Sequence, residues 1–239
     1  MTFKLSQQKH KIIHKRKPNY KYSIYFTCDD GPLVGSKDLN QLVLDYEFPL
    51  TLFLVGRPLT QDKTLKSYYE EYKKNRFLLL ENHSFSHANF HYKRYYRNSD
   101  HVVKDFIKNR DLLDLNSTLI RLPGRNVWYL NEKDNKGEHN DKNSLAVAKK
   151  LYKKYGYKSF GWDYELRSNS KHRIILSALK HYKRIKSLLK EGKTYKKGSI
   201  VILMHDQLFH NRYNLKTLGE LILLFQDDDE CKLKFLNQY

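Results

Sequence analysis

Residues 22–32 read YSIYFTCDDGP, an apolar run that ends in two adjacent aspartates and a Gly-Pro turn. The run predicts a buried strand over 22–27, which places Asp29 and Asp30 at its carboxyl end. Because adjacent like charges disfavour each other's ionised form, a chain that sets two carboxylates at a strand end usually uses them in chemistry. This segment therefore indicates both a sheet-forming strand and a candidate site at its end.

Short apolar runs alternate with helical patterns along the rest of the chain. Further strands are predicted over 50–55, 77–80, 118–121, 157–161 and 200–204. Apolar residues at helical spacing occur between them, over 39–46, 102–107, 145–155, 174–185 and 218–225. This alternation predicts an α/β fold with a largely parallel sheet and helices outside it.

The unusual polar residues come just after the predicted strands. They are Asp29, Asp30, His83, His87, Arg121, Trp162, Asp163 and His205. A (β/α) barrel brings the carboxyl ends of its strands together at one site. An open doubly wound sheet gathers so many strand ends less easily, and the sequence has no glycine-rich nucleotide loop. We therefore predict a barrel.

The composition indicates one folded and strongly basic domain. The 239 residues are 40% hydrophobic, which is enough to bury a substantial core. We expect residues 1–19 to be a polar, basic lead-in and residues 20–239 to form a single domain. The 45 Lys+Arg against 26 Asp+Glu give a net charge of +19. This charge favours an anionic partner such as an acidic polymer or an envelope surface, or it reflects a lysine-rich composition that mainly solubilises the chain.

The sequence shows neither a membrane span nor an export signal. No segment approaches the roughly 20 apolar residues of a transmembrane helix, and residues 1–19 lack an apolar signal core. We expect a cytoplasmic protein for the chain as written, or an envelope or secreted protein if a signal has been removed. No helix-turn-helix, zinc-finger or RNA-binding signature is present, so we expect no nucleic-acid partner.

A second motif supplies candidate metal ligands. Residues 82–87 read NHSFSH, with His83 and His87 four positions apart. Two imidazoles at this spacing share one face if the segment is helical, and with one carboxylate they form a metal site. The second carboxylate of the aspartate pair then stays free as a base beside the metal. The two motifs together predict a metal-dependent hydrolase.

Five motifs in chain order resemble those of the polysaccharide deacetylase family, the NodB-homology group of carbohydrate esterase family 4. The first two, TCDDGP and NHSFSH, are similar to the family patterns T-F-D-D-G-P and N-H-[ST]-x-x-H. The other three are RLPG at 121–124, GWDYE at 161–165 and LMHD at 203–206. The resemblance implies a distorted (β/α)7-type barrel over residues 20–239. It also implies an enzyme that hydrolyses N-acetyl groups from amino sugars of a glycan and releases acetate.

The resemblance further implies a role for each motif residue. Asp30, His83 and His87 would hold a divalent metal, most often zinc, whose ligand preferences suit two imidazoles and one carboxylate. Asp29 would be the general base that takes a proton from the attacking water. His205 would be the acid that protonates the leaving amine.

The remaining motif residues would orient the base and bind the substrate. Arg121 would orient the base and keep it ionised, with a structural salt bridge as the alternative. Asp163 would pair with Arg121 or with His205, and Glu165 is the alternative acid because the fourth motif aligns in two registers. The residues that would bind the substrate are Pro123, Gly124, Trp162 and Leu203. The backbone N–H after Pro123 would face the oxyanion. Trp162 would form either a wall of the pocket or part of the core.

The chain departs from the family pattern at three positions, and one different function stays open. Cys28 replaces a phenylalanine, Gly124 stands where many relatives have a tyrosine, and Leu166 stands where a second tryptophan often occurs. The alternative function is a catalytically weak protein that binds a polyanion or glycan on the same barrel, because one fold hosts many functions. The presence of every residue required for turnover favours the enzyme.

Overall fold

A computed structural model describes residues 19–137 and 141–239, so nearly all of the predicted lead-in over 1–19 lies outside the described residues. In the described part, ten strands form one curled sheet and seven α-helices pack against it. The strands are β1 (Tyr22–Asp29), β2 (Leu50–Leu54), β3 (Leu78–Asn82), β4 (Leu119–Ile120), β5 (Trp128–Tyr129), β6 (Asn135–Lys136), β7 (Lys158–Ser159), β8 (Tyr164–Glu165), β9 (Ser199–His205) and β10 (Cys231–Leu233). The α-helices are α1 (Ser36–Tyr46), α2 (Lys63–Lys74), α3 (Tyr92–Tyr95), α4 (Ser99–Leu113), α5 (Lys142–Tyr155), α6 (Ala178–Lys190) and α7 (Arg212–Gln226).

The sheet is a distorted and incomplete barrel. Its strand order is β6-β5-β7-β4-β3-β2-β1-β9-β8, and β10 pairs with β1. All pairings are parallel except those of β5 with β6 and with β7. In the described part of the chain, the end strands β6 and β8 do not pair with each other. The predicted α/β fold, a single-domain distorted (β/α) barrel, is confirmed.

Alternation along β1 and β9 separates an outer core from the barrel interior. Ile24, Phe26 and Cys28 belong to the outer core, which packs under helices such as α1 and α7. Tyr25 and Val201 belong to the inner aromatic cluster of the barrel. Because side chains alternate every second residue, the last residue of each of these two strands continues the interior face. The alternating pattern of the sequence therefore places the side chains of Asp29 and His205, the last residues of β1 and β9, on the interior face of the barrel.

Five of the helices follow the predicted apolar stripes, one of them with a late start, while α2 and α3 were not predicted. The stripe predicted over 174–185 begins as a helix only at Ala178, because Ile174 forms an isolated bridge with Ser168. Helix α2 was not predicted, since of its twelve residues only Tyr69 and Tyr72 are buried. Among the described residues, no helix is both long enough and apolar enough to cross a membrane.

Candidate metal and catalytic site

The ends of adjacent parallel strands bring the motif residues together. The register of β1 and β9 places Asp29 directly beside His205. Strand β3 ends at Asn82, so that His83 follows it on the same rim of the barrel. Asp30 has a φ of 75°, which ends β1 before the Gly-Pro turn. Three sequence-distant motifs thereby meet at the carboxyl end of the barrel.

Asp30, His83 and His87 form a compact set of metal-ligand atoms. One ligand atom from each lies within 4.8 Å of the others. The Oδ1 atom of Asp30 is 3.1 Å from Nε2 of His87 and 3.5 Å from Nε2 of His83. Burial raises the pKa of Asp30, but the two imidazoles outweigh burial and hold this pKa well below its usual range. The three side chains are thus arranged around one point.

The hydrogen bonding of His83 shows that this donor set fits a divalent cation. Its Nδ1 lies 2.8 Å from the carbonyl oxygen of Arg121, which can only accept a hydrogen bond. In the neutral ring Nδ1 therefore carries the proton, and the lone pair of Nε2 then faces Asp30. Asp30 Oδ1 is buried and has no hydrogen-bond partner in the described structure. Two electron-rich atoms that face each other with no proton between them repel, and a bound cation removes this repulsion.

The two histidines are brought together by a loop and not by the helical turn that their four-residue spacing allowed. Ser84 has a φ of 70° and His87 a φ of 48°, values of the left-handed region. A short 3-10 turn, His87–Phe90, follows with four consecutive residues in this region. Non-glycine residues pay roughly 1–2 kcal/mol each for such backbone, and strain of this kind concentrates at functional sites.

Two residues that the sequence reasoning missed hold this loop. Asn82 Oδ1 accepts a hydrogen bond from the backbone N–H of Ser84 at 2.9 Å. The carboxylate of Asp105, on α4, accepts hydrogen bonds from both the backbone N–H and the hydroxyl of Ser86, at 3.1 and 3.0 Å. Asn82 opens the second motif and could have been selected on that ground. Asp105 gives no signal beyond a buried charge among the apolar residues of α4.

Arg121 is fully buried and fixes the carboxylate of Asp29. Its Nη1 donates to Asp29 Oδ1 at 2.8 Å and to Thr27 Oγ1 at 2.7 Å. Its Nη2 and Nε donate to the carbonyl oxygens of Gly161 and Phe160, at 2.9 and 3.1 Å. Burial lowers the pKa of Arg121, and the charge of Asp29 opposes this shift. The other Asp29 oxygen, Oδ2, lies 3.6 Å from Nε2 of His83, so the carboxylate bridges the arginine and the metal-ligand set.

A cavity of about 900 Å³ opens at this point. The predicted site residues that line it are Asp29, Asp30, His83, His87, Gly124, Trp162, Leu203 and His205. Pro123 does not line the cavity; its carbonyl oxygen accepts a hydrogen bond from the hydroxyl of Tyr96 at 2.7 Å. The prediction that Pro123 contacts the substrate is therefore wrong. Its carbonyl oxygen helps to fix the backbone beside Gly124.

The placement predicted for Asp163 is also wrong. Its two carboxylate oxygens accept hydrogen bonds from the backbone N–H groups of Tyr195 and Val201, at 2.6 and 2.8 Å. Neither Arg121 nor His205 is its partner, and it does not line the 900 Å³ cavity. Burial raises the pKa of Asp163, and the two amides oppose that shift. The alternative acid, Glu165, does line the cavity.

Tyr92 is a cavity residue that the motifs did not reveal. Its ring lies edge-on to the ring of His87, with centroids 5.7 Å apart and planes at 90°. A Cβ atom on Gly124 would come within 2.8 Å of this ring, and Gly124 has a φ of +62°. Because Gly124 has no side chain, the ring of Tyr92, on α3, can pack against the third motif. The departure at Gly124 was the only hint of this in the sequence.

Gly124→Ala is expected to destabilise the protein more than Gly156→Ala does. Gly156 has a similar φ of +71°, but nothing lies within 4 Å of the position its Cβ would take. Gly156→Ala should cost about 1–2 kcal/mol for left-handed backbone alone. Gly124→Ala should add about 1–3 kcal/mol, because the Tyr92 ring must move. Thermal unfolding of both variants measures the difference, and equal melting temperatures would show that the ring contact has no energetic weight.

Asp206 lies under the turn that follows the aspartate pair. Its Oδ2 accepts hydrogen bonds from the hydroxyls of Ser36 and Tyr72, at 2.6 and 3.1 Å. The same oxygen would be 2.8 Å from a Cβ atom on Gly31. Burial raises the pKa of Asp206 to about 6, and the two hydroxyls oppose this shift. The carboxyl group is therefore part of the packing that supports the turn after Asp30.

The raised pKa of Asp206 makes stability depend on pH with a defined sign. The folded protein holds this proton more tightly than the unfolded chain does. The contribution of Asp206 to the free energy of unfolding is therefore complete below about pH 4 and is lost as the pH rises through 6. When the pH is raised from 4 to 8, the free energy of unfolding of Asp206→Asn should increase by roughly 3 kcal/mol relative to that of the wild type. Urea unfolding at both pH values measures this difference, with exposed Asp227→Asn as control. Parallel pH profiles for wild type and Asp206→Asn would refute it.

Comparison with known proteins agrees with this architecture. Residues 16–132 match the sequence model of a family described as polysaccharide deacetylase. A search of curated proteins found no match. A CE4 esterase from Streptococcus mutans is 18% identical, with a TM-score of 0.63 and coverage of 92% of this chain and 87% of that chain.

Two further solved structures share the fold. The catalytic domain of a peptidoglycan N-acetylglucosamine deacetylase from Eubacterium rectale has 18% identity and a TM-score of 0.62, covering 90% of this chain and 87% of that one. A peptidoglycan deacetylase from Bacillus subtilis has 18% identity and a TM-score of 0.60, covering 92% and 90%. Fold, motif order and family match together define an α/β-barrel hydrolase. The chain belongs to the polysaccharide deacetylase family.

Proposed function

We propose that this protein is a metal-dependent hydrolase that removes N-acetyl groups from amino sugars of a glycan and releases acetate. One observation carries the proposal. The metal-ligand set of Asp30, His83 and His87 lies in the same cavity as an aspartate fixed by a buried arginine and a histidine on the neighbouring strand. These are the parts that hydrolysis of an unactivated amide requires: a cation site, a base and an acid.

Asp30, His83 and His87 are the residues that would hold the metal, with zinc the ion best suited to this donor set. A bound divalent metal would polarise the acetyl carbonyl and lower the pKa of a water molecule in the cavity. Asp29 accepts the proton of the attacking water. Arg121 holds Asp29 Oδ1 at 2.8 Å, which leaves Oδ2 as the oxygen that faces the cavity. This geometry gives the base one fixed orientation.

His205 completes the proton transfer. Its position beside Asp29 in the strand register puts base and acid on adjacent strands of one cavity. His205 donates a proton to the departing amine nitrogen, because an amide cannot expel an unprotonated nitrogen easily. Gly124 lines the same cavity and its backbone N–H has no acceptor in the described structure, so we assign this N–H to the developing oxyanion.

Trp162 and Leu203 form the apolar wall of the cavity. Leu203 is buried on β9, two residues before His205, and Trp162 is partly exposed. An apolar wall beside the acid and base suits the methyl group of an acetyl substituent and excludes water from the reacting carbonyl. Glu165, which lines the same cavity, replaces Asp163 as the fourth-motif acid of this proposal.

Elemental analysis tests the metal site directly. We expect close to one divalent ion per chain in the wild type and none in His83→Ala, because the triad loses a ligand. The control is His101→Ala, an exposed histidine on α4 that lies outside the triad and should keep the ion. A wild type that holds no metal, even after zinc is supplied, would contradict the hydrolase and favour a protein that binds a polyanion or glycan without turnover.

A further inference from the structure

A second cavity adjoins the catalytic one. It has a volume of about 560 Å³, within the range of about 300–1,000 Å³ that is typical of small-molecule sites. Trp162 and Glu165 line both cavities, so these two side chains form the boundary between them. We call the second one the Arg184 cavity, after the exposed arginine of α6 that lines it. A sugar chain that leaves the catalytic cavity past Trp162 enters this space.

The available charge in the Arg184 cavity is positive. In the described part of the chain, no carboxylate lies within 4 Å of the Arg184 guanidinium. Arg167 also lines the cavity, and its ion pair with Glu165 is long, at 3.5 Å, and largely exposed. Such a pair is weak in water, so Arg167 can exchange its partner for a ligand anion. Asp163, the other acid in the lining, is already bound by two backbone amides.

One buried side chain that lines this cavity, His181, is polar but uncharged. His181 is buried, and its Nδ1 lies 2.8 Å from the hydroxyl of Tyr164. Burial, and after it the charge of Arg184, lower the pKa of His181 to about 4, so this imidazole is neutral near pH 7. Its Nε2 atom is buried and has no hydrogen-bond partner in the described structure. The positive charge therefore resides at the rim, on arginines that can reach a ligand.

The basic surface continues beyond the Arg184 cavity. A third cavity, of about 1030 Å³, shares Asn126, Trp162 and Asp163 with it. Lys133 and Lys136 line this third cavity, and no carboxylate lies within 4 Å of either lysine among the residues that the structure describes. Three adjoining cavities thus meet at Trp162, and cations without carboxylate partners line the two outside the catalytic centre. Asp134 also lines the third cavity, where its carboxylate accepts a hydrogen bond from the hydroxyl of Tyr195.

We propose that the Arg184 cavity is a subsite for an anionic sugar, which binds a carboxylate or phosphate carried by the unit next to the N-acetylated one. Arg184 and Arg167 bind the anion, and Trp162 stacks against the sugar ring that connects the two cavities. The subsite rests on the proposed function for the catalytic cavity, and it narrows the substrate class to acidic N-acetylated glycans.

Binding of matched oligosaccharides tests the subsite without requiring turnover. The probes are an N-acetylglucosamine tetramer, a tetramer in which N-acetylglucosamine alternates with glucuronic acid, and an N-acetylglucosamine tetramer that carries 6-phosphate groups. Calorimetry should show about 5–10-fold tighter binding of at least one acidic probe than of the neutral one at low salt, and a smaller difference at high salt. The acidic probe that is preferred identifies the source of the anion.

Two charge-removing variants on one helix complete the test. Arg184→Gln should abolish most of the preference for the acidic probe and leave the affinity for the neutral probe unchanged. Lys190→Gln removes the same charge from α6 outside the cavity and should change the preference less than twofold. Equal affinity of wild type for neutral and acidic probes, or equal losses in both variants, would overturn the subsite. Acetate release from neutral and acidic tetramers at equal rates, with no preference in binding, would leave the proposed function standing. A binding preference without acetate release from any probe would refute the function alone.

Discussion

Asp29→Asn is expected to lower kcat/KM for acetate release from N-acetylglucosamine oligomers by about 10³-fold. An amide in place of the carboxylate cannot accept the proton of the attacking water, and a positioned base typically contributes about 10²–10⁴-fold. Asp29 is held by Arg121 on one oxygen and lines the catalytic cavity with His205, so no movement is needed for it to act. Initial rates of acetate release measure the effect.

The control for this variant is Asp38→Asn, an exposed aspartate in the first turn of α1. It should keep wild-type activity. Metal content should stay near one ion per chain in Asp29→Asn, because Asp30 supplies the carboxylate ligand of the triad. A loss of less than tenfold in Asp29→Asn would assign the base to another cavity residue, with Glu165 the first to examine.

Arg121→Met is expected to lower the free energy of unfolding by about 3–5 kcal/mol. Removing one partner of a buried ion pair leaves the other charge uncompensated, and this costs more than the pair itself contributes. Here the variant leaves Asp29 buried without its cation, and it also deprives the carbonyl oxygens of Phe160 and Gly161 of their donor. Methionine is long enough to fill part of the space but donates no hydrogen bond. Guanidinium chloride unfolding gives the value.

The matched control is Arg110→Met. Arg110 also pairs with an aspartate, Asp111, at 2.6 Å, but both side chains are partly exposed. Exposed pairs contribute about 0–1 kcal/mol, so this variant should unfold almost like the wild type. If Arg121→Met lost no more than Arg110→Met, the guanidinium of Arg121 would not be a structural element of the site.

Sequence patterns predicted the barrel and the meeting of the motif residues at its rim, because both depend on local periodicity and strand order. Alternation along β1 decides that Asp29 shares the interior face, and parallel pairing with β9 then sets His205 beside it. The strand predicted over 22–27 is the largest part of β1, and all six predicted strands correspond to observed ones. Three of the four unpredicted strands, β5, β6 and β8, have only two residues each and leave almost no pattern.

The features that the sequence did not predict are those whose geometry depends on tertiary contacts. His83 and His87 come together through left-handed backbone, which a four-residue spacing cannot distinguish from a helical turn. Asp163 follows a strand in sequence, yet backbone amides of a neighbouring segment and of β9 bind its carboxylate. Tyr92 lines the cavity from α3, and its ring fits there because Gly124 has no side chain. None of these contacts has a short-range signature.

The most direct test of the central claim is acetate release from N-acetylglucosamine oligomers by wild type before chelation, after chelation and after addition of zinc. We expect chelation to abolish release and about one equivalent of zinc per chain to restore it. His83→Ala, tested in the same way, should stay inactive after zinc is added. Undiminished release from the metal-free wild type would contradict the account, because the triad of Asp30, His83 and His87 would then have no part in the reaction.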